Sequence, residues 1–183
     1  MRAFIAIDLS KELKEKTSEF QKELLKLDIL EGNWTKEYHL TLKFLHEITD
    51  AQVKLISNVL IDISKKTKKF ELELNGLGAF PSQNYIRVIW IGAGKGDEEA
   101  KELQRAVDNK LEKLGFEKES RYSNHLTLAR VKAVEDKDKL KEIFERNATK
   151  SFGSFEVKEV KLIKSTLTRE GPKYETIASF PLA

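Results

Sequence analysis

Two of the three histidines begin the same tetrapeptide. The segment His39-Leu40-Thr41-Leu42 recurs as His125-Leu126-Thr127-Leu128, 86 residues later (125 − 39). Histidine can accept or donate a proton near neutral pH, and a threonine hydroxyl can donate a hydrogen bond to a phosphate oxygen. Phosphoryl transfer at a ribose needs one group that takes a proton from the nucleophile and another that gives one to the leaving oxygen. The repeated pattern therefore favours His39 and His125 as catalytic residues, with Thr41 and Thr127 as substrate-binding residues.

Each motif is expected to be a strand with one polar and one apolar face. Alternate side chains of an extended strand share a face, so the histidine and threonine point one way and the leucines enter the core. Continued alternation places Lys43 on the His39 face and Phe44 on the leucine face. Lys43 is then either a site residue or a solvated strand lysine. The same alternation places Arg130 on the leucine face of the second strand, unless a bulge or the end of the strand intervenes.

The elements around the motifs also repeat, in the order strand, helix, HLTL strand, helix, strand. The predicted first set comprises a strand Arg2–Asp8, a helix over 10–28, a helix capped by Thr49 and Gln52, and a strand near Phe70–Leu74. The predicted second set comprises a strand Arg87–Ile91, a helix that ends at Gly115, a helix opened by Asp136, and a strand near Phe155–Leu162. Further strands are expected at 76–81 and 174–182.

This order predicts an α+β fold with mainly antiparallel sheets. Residues 1–183 should form a single compact domain of two similar lobes, roughly 1–80 and 83–165, related by a pseudo-twofold axis, with the helices on the outside. Such symmetry would bring the two histidine faces to opposite walls of one central cleft. The loop Gly92–Gly96 lacks the spacing of a phosphate-binding loop, so a turn with Asp97 opening a helix is expected there.

The composition limits the class of protein. The 183 residues are 40% apolar and 34% charged, which is typical of a soluble globular chain. No segment is apolar enough to cross a membrane and the start does not resemble a secretory signal, so a cytoplasmic protein is expected. The absence of cysteine excludes disulfides, thiolate metal sites and a cysteine nucleophile.

The three histidines lack a metal-ligand spacing, so no metal and no cofactor are expected. The net charge of +3 permits a nucleic-acid partner. Abundant Lys and Glu with one Met are typical of a thermophile.

With these motifs the chain resembles the RNA 2′,3′-cyclic phosphodiesterases, also called 2′-5′ RNA ligases, of the two-histidine (2H) phosphoesterase superfamily. The resemblance covers almost the whole chain. It is carried by Trp34, His39–Leu45, Gly78–Pro81, Arg87–Trp90, Tyr122–Arg130, Ser165, Leu167, Gly171, Pro172 and Tyr174. Two positions depart from the family: His46 stands where glycine is common, and Asn124 stands where proline is common.

The resemblance implies roles that the residues alone leave open. His39 would donate the proton, His125 would accept it, and Thr41 and Thr127 would hold the phosphate. It also favours Arg130 as a phosphate-binding residue, which requires a bulge or the end of the strand at this point. The implied reaction converts RNA 2′,3′-cyclic phosphate ends to 2′-phosphates, with reversible 2′-5′ ligation as a related activity. The implied partner is an RNA end, with tRNA fragments as one candidate, and the implied form is a monomer.

Two other functions remain open at this stage. One is a phosphodiesterase for small cyclic nucleotides, and the other is a non-catalytic module that binds RNA ends. Trp34 and Tyr122 are candidates for stacking on a terminal base, although Trp34 also fits a core position. His46 follows the first strand near a turn, where a site role is not expected. A lysine cluster is expected to cap a helix end, with an RNA contact as the alternative: Lys65, Lys66, Lys68 and Lys69.

Overall fold

The computed structural model describes every residue from Met1 to Ala183 and contains four helices and nine strands. The helices are α1 (Lys11–Lys26), α2 (Asp50–Lys66), α3 (Asp97–Glu112) and α4 (Lys137–Arg146). The strands are β1 (Arg2–Asp8), β2 (Leu30–Trp34), β3 (His39–Glu47), β4 (Phe70–Pro81), β5 (Ile86–Ala93), β6 (Leu126–Val134), β7 (Ser151–Val157), β8 (Glu159–Thr168) and β9 (Gly171–Pro181). No helix is both long enough and apolar enough to cross a membrane.

The strands form two antiparallel sheets. One sheet has four strands in the order β3-β1-β8-β9, and the other has five in the order β2-β6-β5-β4-β7. Each sheet has an HLTL strand beside a central strand, β3 beside β1 and β6 beside β5. The helices and sheets share one core of 40 buried apolar residues. The predicted α+β class, with two related lobes and antiparallel sheets, is confirmed.

The two halves of the chain exchange strands. β2 and β4 come from the first half but pair in the five-stranded sheet, whereas β8 and β9, from the end of the chain, complete the four-stranded sheet beside β1. All strands of the five-stranded sheet lie within residues 30–157, a range that also contains β3 of the other sheet, while the four-stranded sheet needs both ends of the chain. The halves 1–80 and 83–165 therefore repeat an order of elements without coinciding with the sheets.

Most predicted helix ends are confirmed by their capping contacts. The Ser10 hydroxyl accepts from the backbone of Leu13, and Asp136 caps α4 in the same way. Thr49 and Gln52 form the expected capping box. Gly115 follows α3 with φ +91°, and the backbone N–H groups of residues 115 and 116 bond back to the carbonyl groups of residues 112 and 111. This pattern is a Schellman motif, which favours glycine because φ is positive.

Three strands differ from the prediction. β2 was not expected, because its sequence Leu-Glu-Gly-Asn-Trp lacks an alternating apolar pattern. The strands expected at 70–74 and 76–81 are one strand, β4, which bends where Gly76 adopts φ +81°. The strand expected at 155–162 is divided at Lys158 into β7 and β8.

Both HLTL strands carry a β-bulge at their second leucine. The pairing of β1 with β3 skips Leu42, and the pairing of β5 with β6 skips Leu128. A bulge adds one residue to a strand, so the alternation of side chains reverses beyond it. Phe44 is consequently exposed and lines the cleft, whereas Lys43 is buried. Arg130 lies on the cleft side for the same reason.

The second bulge is stabilised by contacts from another element. The carbonyl oxygen of Leu128 accepts from the backbone N–H of Thr35 (2.9 Å) and from the side-chain amide of Gln21 (2.8 Å). Tyr38 donates to the other atom of that amide, Oε1 of Gln21, at 2.7 Å. The buried polar face of α1 therefore satisfies a carbonyl that the bulge removes from the sheet.

Candidate active site

The two sheets border a single cleft of about 1220 Å³. Its lining includes the histidine and threonine of both motifs: His39, Thr41, His125 and Thr127. The structure thus brings the four residues of the repeated pattern to one surface. On the first lobe, two lining residues, Phe4 and Tyr174, pack on a small apolar cluster that also contains the buried Ala6 and Ile163 of β1 and β8.

His39 lies in an apolar corner beside one carboxylate. Its ring contacts the edges of Phe4 and Tyr174, with centroid distances of 5.8 and 5.3 Å. Its Nε2 lies 4.0 Å from a carboxylate oxygen of Asp8, the residue opposite it on β1. Burial lowers the pKa of the imidazole, the Asp8 charge acts in the opposite direction, and the net result is a lowered pKa.

Asp8 is shared between His39 and two lysines. Lys14 approaches one carboxylate oxygen at 2.6 Å, and Lys161 donates to the other at 2.9 Å. Burial alone would raise the pKa of this carboxyl, but the two ammonium groups outweigh burial and lower it. Asp8 therefore remains a carboxylate near neutral pH, next to the first histidine only.

His125 is oriented by the backbone rather than by a carboxylate. Its Nδ1 lies 2.8 Å from the carbonyl oxygen of Ser123, and its ring meets the edge of Phe80 at 5.0 Å. Burial lowers its pKa, the bond to Ser123 partly opposes this, and the charge of Arg130 adds to the lowering. Because a carbonyl can only accept, Nδ1 carries the proton and Nε2 of the neutral ring is free to accept one.

Arg130 reaches into the cleft beyond the second bulge. Its side chain is exposed, and its charge acts on His125 and on Tyr174 of the opposite lobe. It therefore stands between the two walls, where a guanidinium can bind phosphate oxygens. Burial raises the pKa of the Tyr174 phenol, which is uncharged near neutral pH.

Lys43 is not a solvated strand lysine, so that sequence-based alternative is wrong, and its ammonium points away from the motif residues into a buried ion pair. Its side chain is 2% exposed, and its ammonium donates to Asp108 of α3 (2.5 Å) and to the carbonyl oxygen of Glu117 (2.6 Å). Asp108 also accepts from the backbone N–H of Glu119. The bulge at Leu42 causes this difference, because it turns Lys43 toward the other lobe.

Tyr122 and Asn124 connect the second motif to its surroundings. The Tyr122 hydroxyl donates to Oδ1 of Asn124 at 2.7 Å and lies 3.3 Å from the carbonyl oxygen of Thr41. The Asn124 amide in turn donates to the side chain and the carbonyl of Asp97, at 2.7 and 3.0 Å. Asn124, a departure from the family, therefore links both motifs to the start of α3.

The remaining candidates lie at the margin of the cleft. His46, the penultimate residue of β3, has φ +56°, a conformation that glycine adopts more readily than other residues. Trp34 lines the cleft from β2 and also packs against the core. No group of three or more His, Asp or Glu residues is placed to hold a metal ion.

Sequence reasoning missed Asp8, Ser123, Phe80 and Phe44. Asp8 lies outside every motif, and Phe80 and Ser123 lie in segments that carry the resemblance but had no role assigned, since each acts through a contact that only the fold creates. One signal in the sequence could have placed Phe44 in the cleft. Arg130 required a bulge to reach the site, and Phe44 occupies the same position of the repeat, 86 residues earlier.

The fold and the paired motifs define a two-histidine phosphoesterase, with one H-x-T motif contributed by each lobe. Residues 3–182 match the model of the AKAP7 2′5′ RNA ligase-like domain. The chain is 42% identical over 177 residues to the RNA 2′,3′-cyclic phosphodiesterase of Methanocaldococcus jannaschii, covering 97% of this chain and 98% of that protein. It is 36% identical over 183 residues to the protein of the same name from Methanothermobacter thermautotrophicus, covering 100% and 99%.

A solved structure agrees with this assignment. The crystal structure of TT0787 of Thermus thermophilus superposes with a TM-score of 0.82 at 25% identity, covering 100% of this chain and 98% of that chain. The protein belongs to the RNA 2′,3′-cyclic phosphodiesterase and 2′-5′ RNA ligase-like family, as its motifs predict. The sources of the relatives also fit the thermophilic composition.

Proposed function

We propose that this protein hydrolyses RNA 2′,3′-cyclic phosphate ends to 2′-phosphomonoesters by acid–base catalysis with two histidines. The observation that carries the proposal is the presence of two identical H-x-T motifs, one from each lobe, in one cleft. The names of the relatives, RNA 2′,3′-cyclic phosphodiesterases at 42% and 36% identity, support the substrate class.

His125 is suited to accept the proton of the attacking water. The Ser123 carbonyl fixes the tautomer in which Nε2 has a free lone pair. Burial and the nearby Arg130 charge both favour the neutral ring. A general base must be unprotonated before the reaction, and these contacts provide that state.

His39 is suited to donate a proton to the leaving oxygen. It is the only one of the two imidazoles with a carboxylate neighbour, Asp8, whose charge stabilises the imidazolium. Asp8 does not approach within hydrogen-bonding distance, so it acts through charge rather than by taking the proton. The Asp8 charge thereby favours the protonated form of His39, which is the form that acts as the acid.

The reaction then proceeds without a metal or a cofactor. The water oxygen attacks phosphorus while His125 takes one of its protons, and the bond between phosphorus and O3′ breaks while His39 protonates O3′. The products are a 2′-phosphate and a free 3′-hydroxyl. Thr41, Thr127 and Arg130 donate hydrogen bonds to the non-bridging oxygens, which gain charge in the transition state.

Replacing water with the 5′-hydroxyl of a second RNA would give a 2′-5′ linkage by the same steps, and the family name supports this second activity. Because one chain supplies both motifs, the site is complete in a monomer. RNA fragments in the cytoplasm, including those of tRNA, are the substrates that fit this chemistry.

The proposal is tested with an RNA oligomer that ends in a 2′,3′-cyclic phosphate, incubated without added metal. The expected product is a 2′-phosphate, whereas a 3′-phosphate would contradict the assignment of the leaving oxygen. Binding without turnover would indicate the non-catalytic RNA module. Turnover of a cyclic mononucleotide but not of the oligomer would indicate a small-nucleotide phosphodiesterase.

A further inference from the structure

A second concave surface lies beyond the cleft, at the far end of β5 and β6. It is a cavity of about 540 Å³ between the tip of the β4–β5 hairpin, the end of β6 and the start of α4. We call it the hairpin pocket. Its charged lining residues are four cations and one carboxylate: Arg87, Lys132, Lys137, Lys141 and Asp138.

The hairpin pocket continues the line of the active-site cleft. Arg130 lines the cleft, and Lys132, two residues further along β6, lines the pocket. Both side chains are exposed and Val131 between them is buried, so the two cations share one side of the sheet. Two strand residues span about 7 Å, which is comparable with the phosphate repeat of an extended single strand of RNA.

The cations of the hairpin pocket have no carboxylate partner within the protein. Buried and half-buried lysines elsewhere have carboxylate partners, as Lys43 has Asp108 and Lys161 has Asp8. None of the four pocket cations forms an ion pair. A concentration of unpaired positive charge in a concave surface favours an anionic ligand.

An aromatic side chain at the rim of the pocket is fixed in place. Tyr85, at the hairpin tip, is 56% exposed. Arg87 packs over its ring at 5.0 Å and donates from Nε to its hydroxyl at 2.8 Å. RNA bases stack on aromatic rings and on guanidinium planes, and this pair presents both without further ordering.

The two lobes differ at the positions that lead out of the cleft. In the repeat, Phe44 of the first lobe corresponds to Arg130 of the second, and His46 corresponds to Lys132. Only the second lobe carries two cations in this row. Of these two rows, the one on β6 is therefore the better suited to a polyanion that leaves the site.

We infer that the hairpin pocket binds the single-stranded RNA upstream of the cyclic phosphate, with its lysines on phosphates and Tyr85 stacked on a base. The inference rests on the proposed function, since it supposes an RNA end in the cleft. Binding of RNA in the hairpin pocket makes the protein selective for oligonucleotides over mononucleotides. This binding also sets the direction in which the RNA strand enters the cleft.

The test compares two triple variants with the same loss of charge. The pocket variant is Lys132→Gln with Lys137→Gln and Lys141→Gln. The control is Lys65→Gln with Lys68→Gln and Lys69→Gln, the lysine cluster at the end of α2. The substrates are a 2′,3′-cyclic mononucleotide and a ten-nucleotide RNA with the same end.

The pocket variant is expected to lose oligomer kcat/KM by on the order of tenfold while its mononucleotide kcat/KM changes by less than about twofold. In the pocket variant, the slope of log KM against log salt concentration should decrease by about 2, since each phosphate contact to a single strand contributes about 0.7 to that slope. Tyr85→Ala should weaken use of the oligomer without changing this salt dependence.

Three results would overturn the inference: no loss on the oligomer, an equal loss in the control, or an equal loss on both substrates. Binding of a ten-nucleotide RNA with a 2′-phosphate end is measured in parallel and needs no turnover. If the unmodified protein hydrolyses neither substrate, the proposed function fails. A weaker affinity in the pocket variant than in the control would then still support the pocket.

Discussion

The two imidazoles have identical sequence motifs but unequal surroundings. His39 faces the Asp8 carboxylate, and His125 faces the Ser123 carbonyl. A carboxylate stabilises a protonated ring, whereas a carbonyl fixes the tautomer of a neutral one. The asymmetry needed to separate an acid from a base therefore comes from residues outside the repeat, which is why the sequence left the roles open.

Removal of either imidazole should abolish most of the turnover. His39→Ala and His125→Ala should each reduce kcat by about 10²–10⁴-fold on a cyclic-phosphate RNA end. The double variant should be little worse than either single one, because both residues act in one transition state. His46→Gly is the matched histidine control, since φ +56° suits glycine, and it should stay nearly as active as the unmodified protein. Equal activity of His125→Ala and the control would contradict a catalytic role for the repeat.

The pH dependence of kcat/KM should show the titration of both imidazole rings, His39 and His125. The rate constant kcat/KM should rise with pH as His125 loses its proton and fall as His39 loses its own. Burial lowers both pKa values from 6.5, so the maximum should lie on the acid side of that value. Asp8→Asn removes a charge that raises the pKa of His39, so the alkaline limb should move to lower pH. The acid limb should not move, and a shift of that limb instead would reverse the assigned roles.

At the scale of elements, the bulges at Leu42 and Leu128 decide which side chains face the site. Sequence periodicity predicted the helices, their caps and most of the strands, because these depend on local pattern. It misplaced Lys43 and Phe44, because a bulge depends on partners from elsewhere in the chain. At Leu128 those partners are Gln21 and Thr35, which no local pattern around the strand reveals.

Removing one partner of the buried ion pair between β3 and α3 should strongly destabilise the protein. Lys43→Met leaves the Asp108 carboxylate buried without its partner, with an expected loss of about 3–5 kcal/mol in the free energy of unfolding. Lys43→Met with Asp108→Leu should recover much of this loss, although the Glu117 carbonyl and the Glu119 N–H stay unpaired. Urea unfolding measures both.

Lys66→Met serves as the control for that experiment, because it breaks an exposed pair with Asp62 at the end of α2 and should change stability little. A similar loss in the two single variants would show that burial of the β3–α3 pair is unimportant.

At the scale of the whole molecule, the net charge of +3 conceals an uneven distribution. Four cations without an ion-pair partner line the hairpin pocket, close to Arg130 of the cleft. Composition gave only the total, so it permitted an RNA partner without locating one. The order of elements likewise predicted two lobes and a cleft, but the exchange of β2, β4, β8 and β9 depends on long-range pairing that periodicity does not encode.

Hydrolysis should not depend on a divalent metal. Both proton transfers are assigned to imidazoles, and the phosphate charge is met by Thr41, Thr127 and Arg130. Turnover of a cyclic-phosphate RNA end in excess EDTA should match turnover without EDTA. Loss of activity that a divalent ion restores would overturn the mechanism.

The exchange of strands also fixes the order in which the molecule can be completed during synthesis. The five-stranded sheet can pair once residue 157 has left the ribosome, and it contains the His125 motif. β1 emerges first but obtains its partner β8 (Glu159–Thr168) last, about 150 residues later. Until then an apolar strand, Ala3–Ile7, keeps one edge open, and such an edge readily pairs with other chains. A chain that stops near residue 157 should therefore aggregate through its first strand, even though the lobe with the second histidine is already whole.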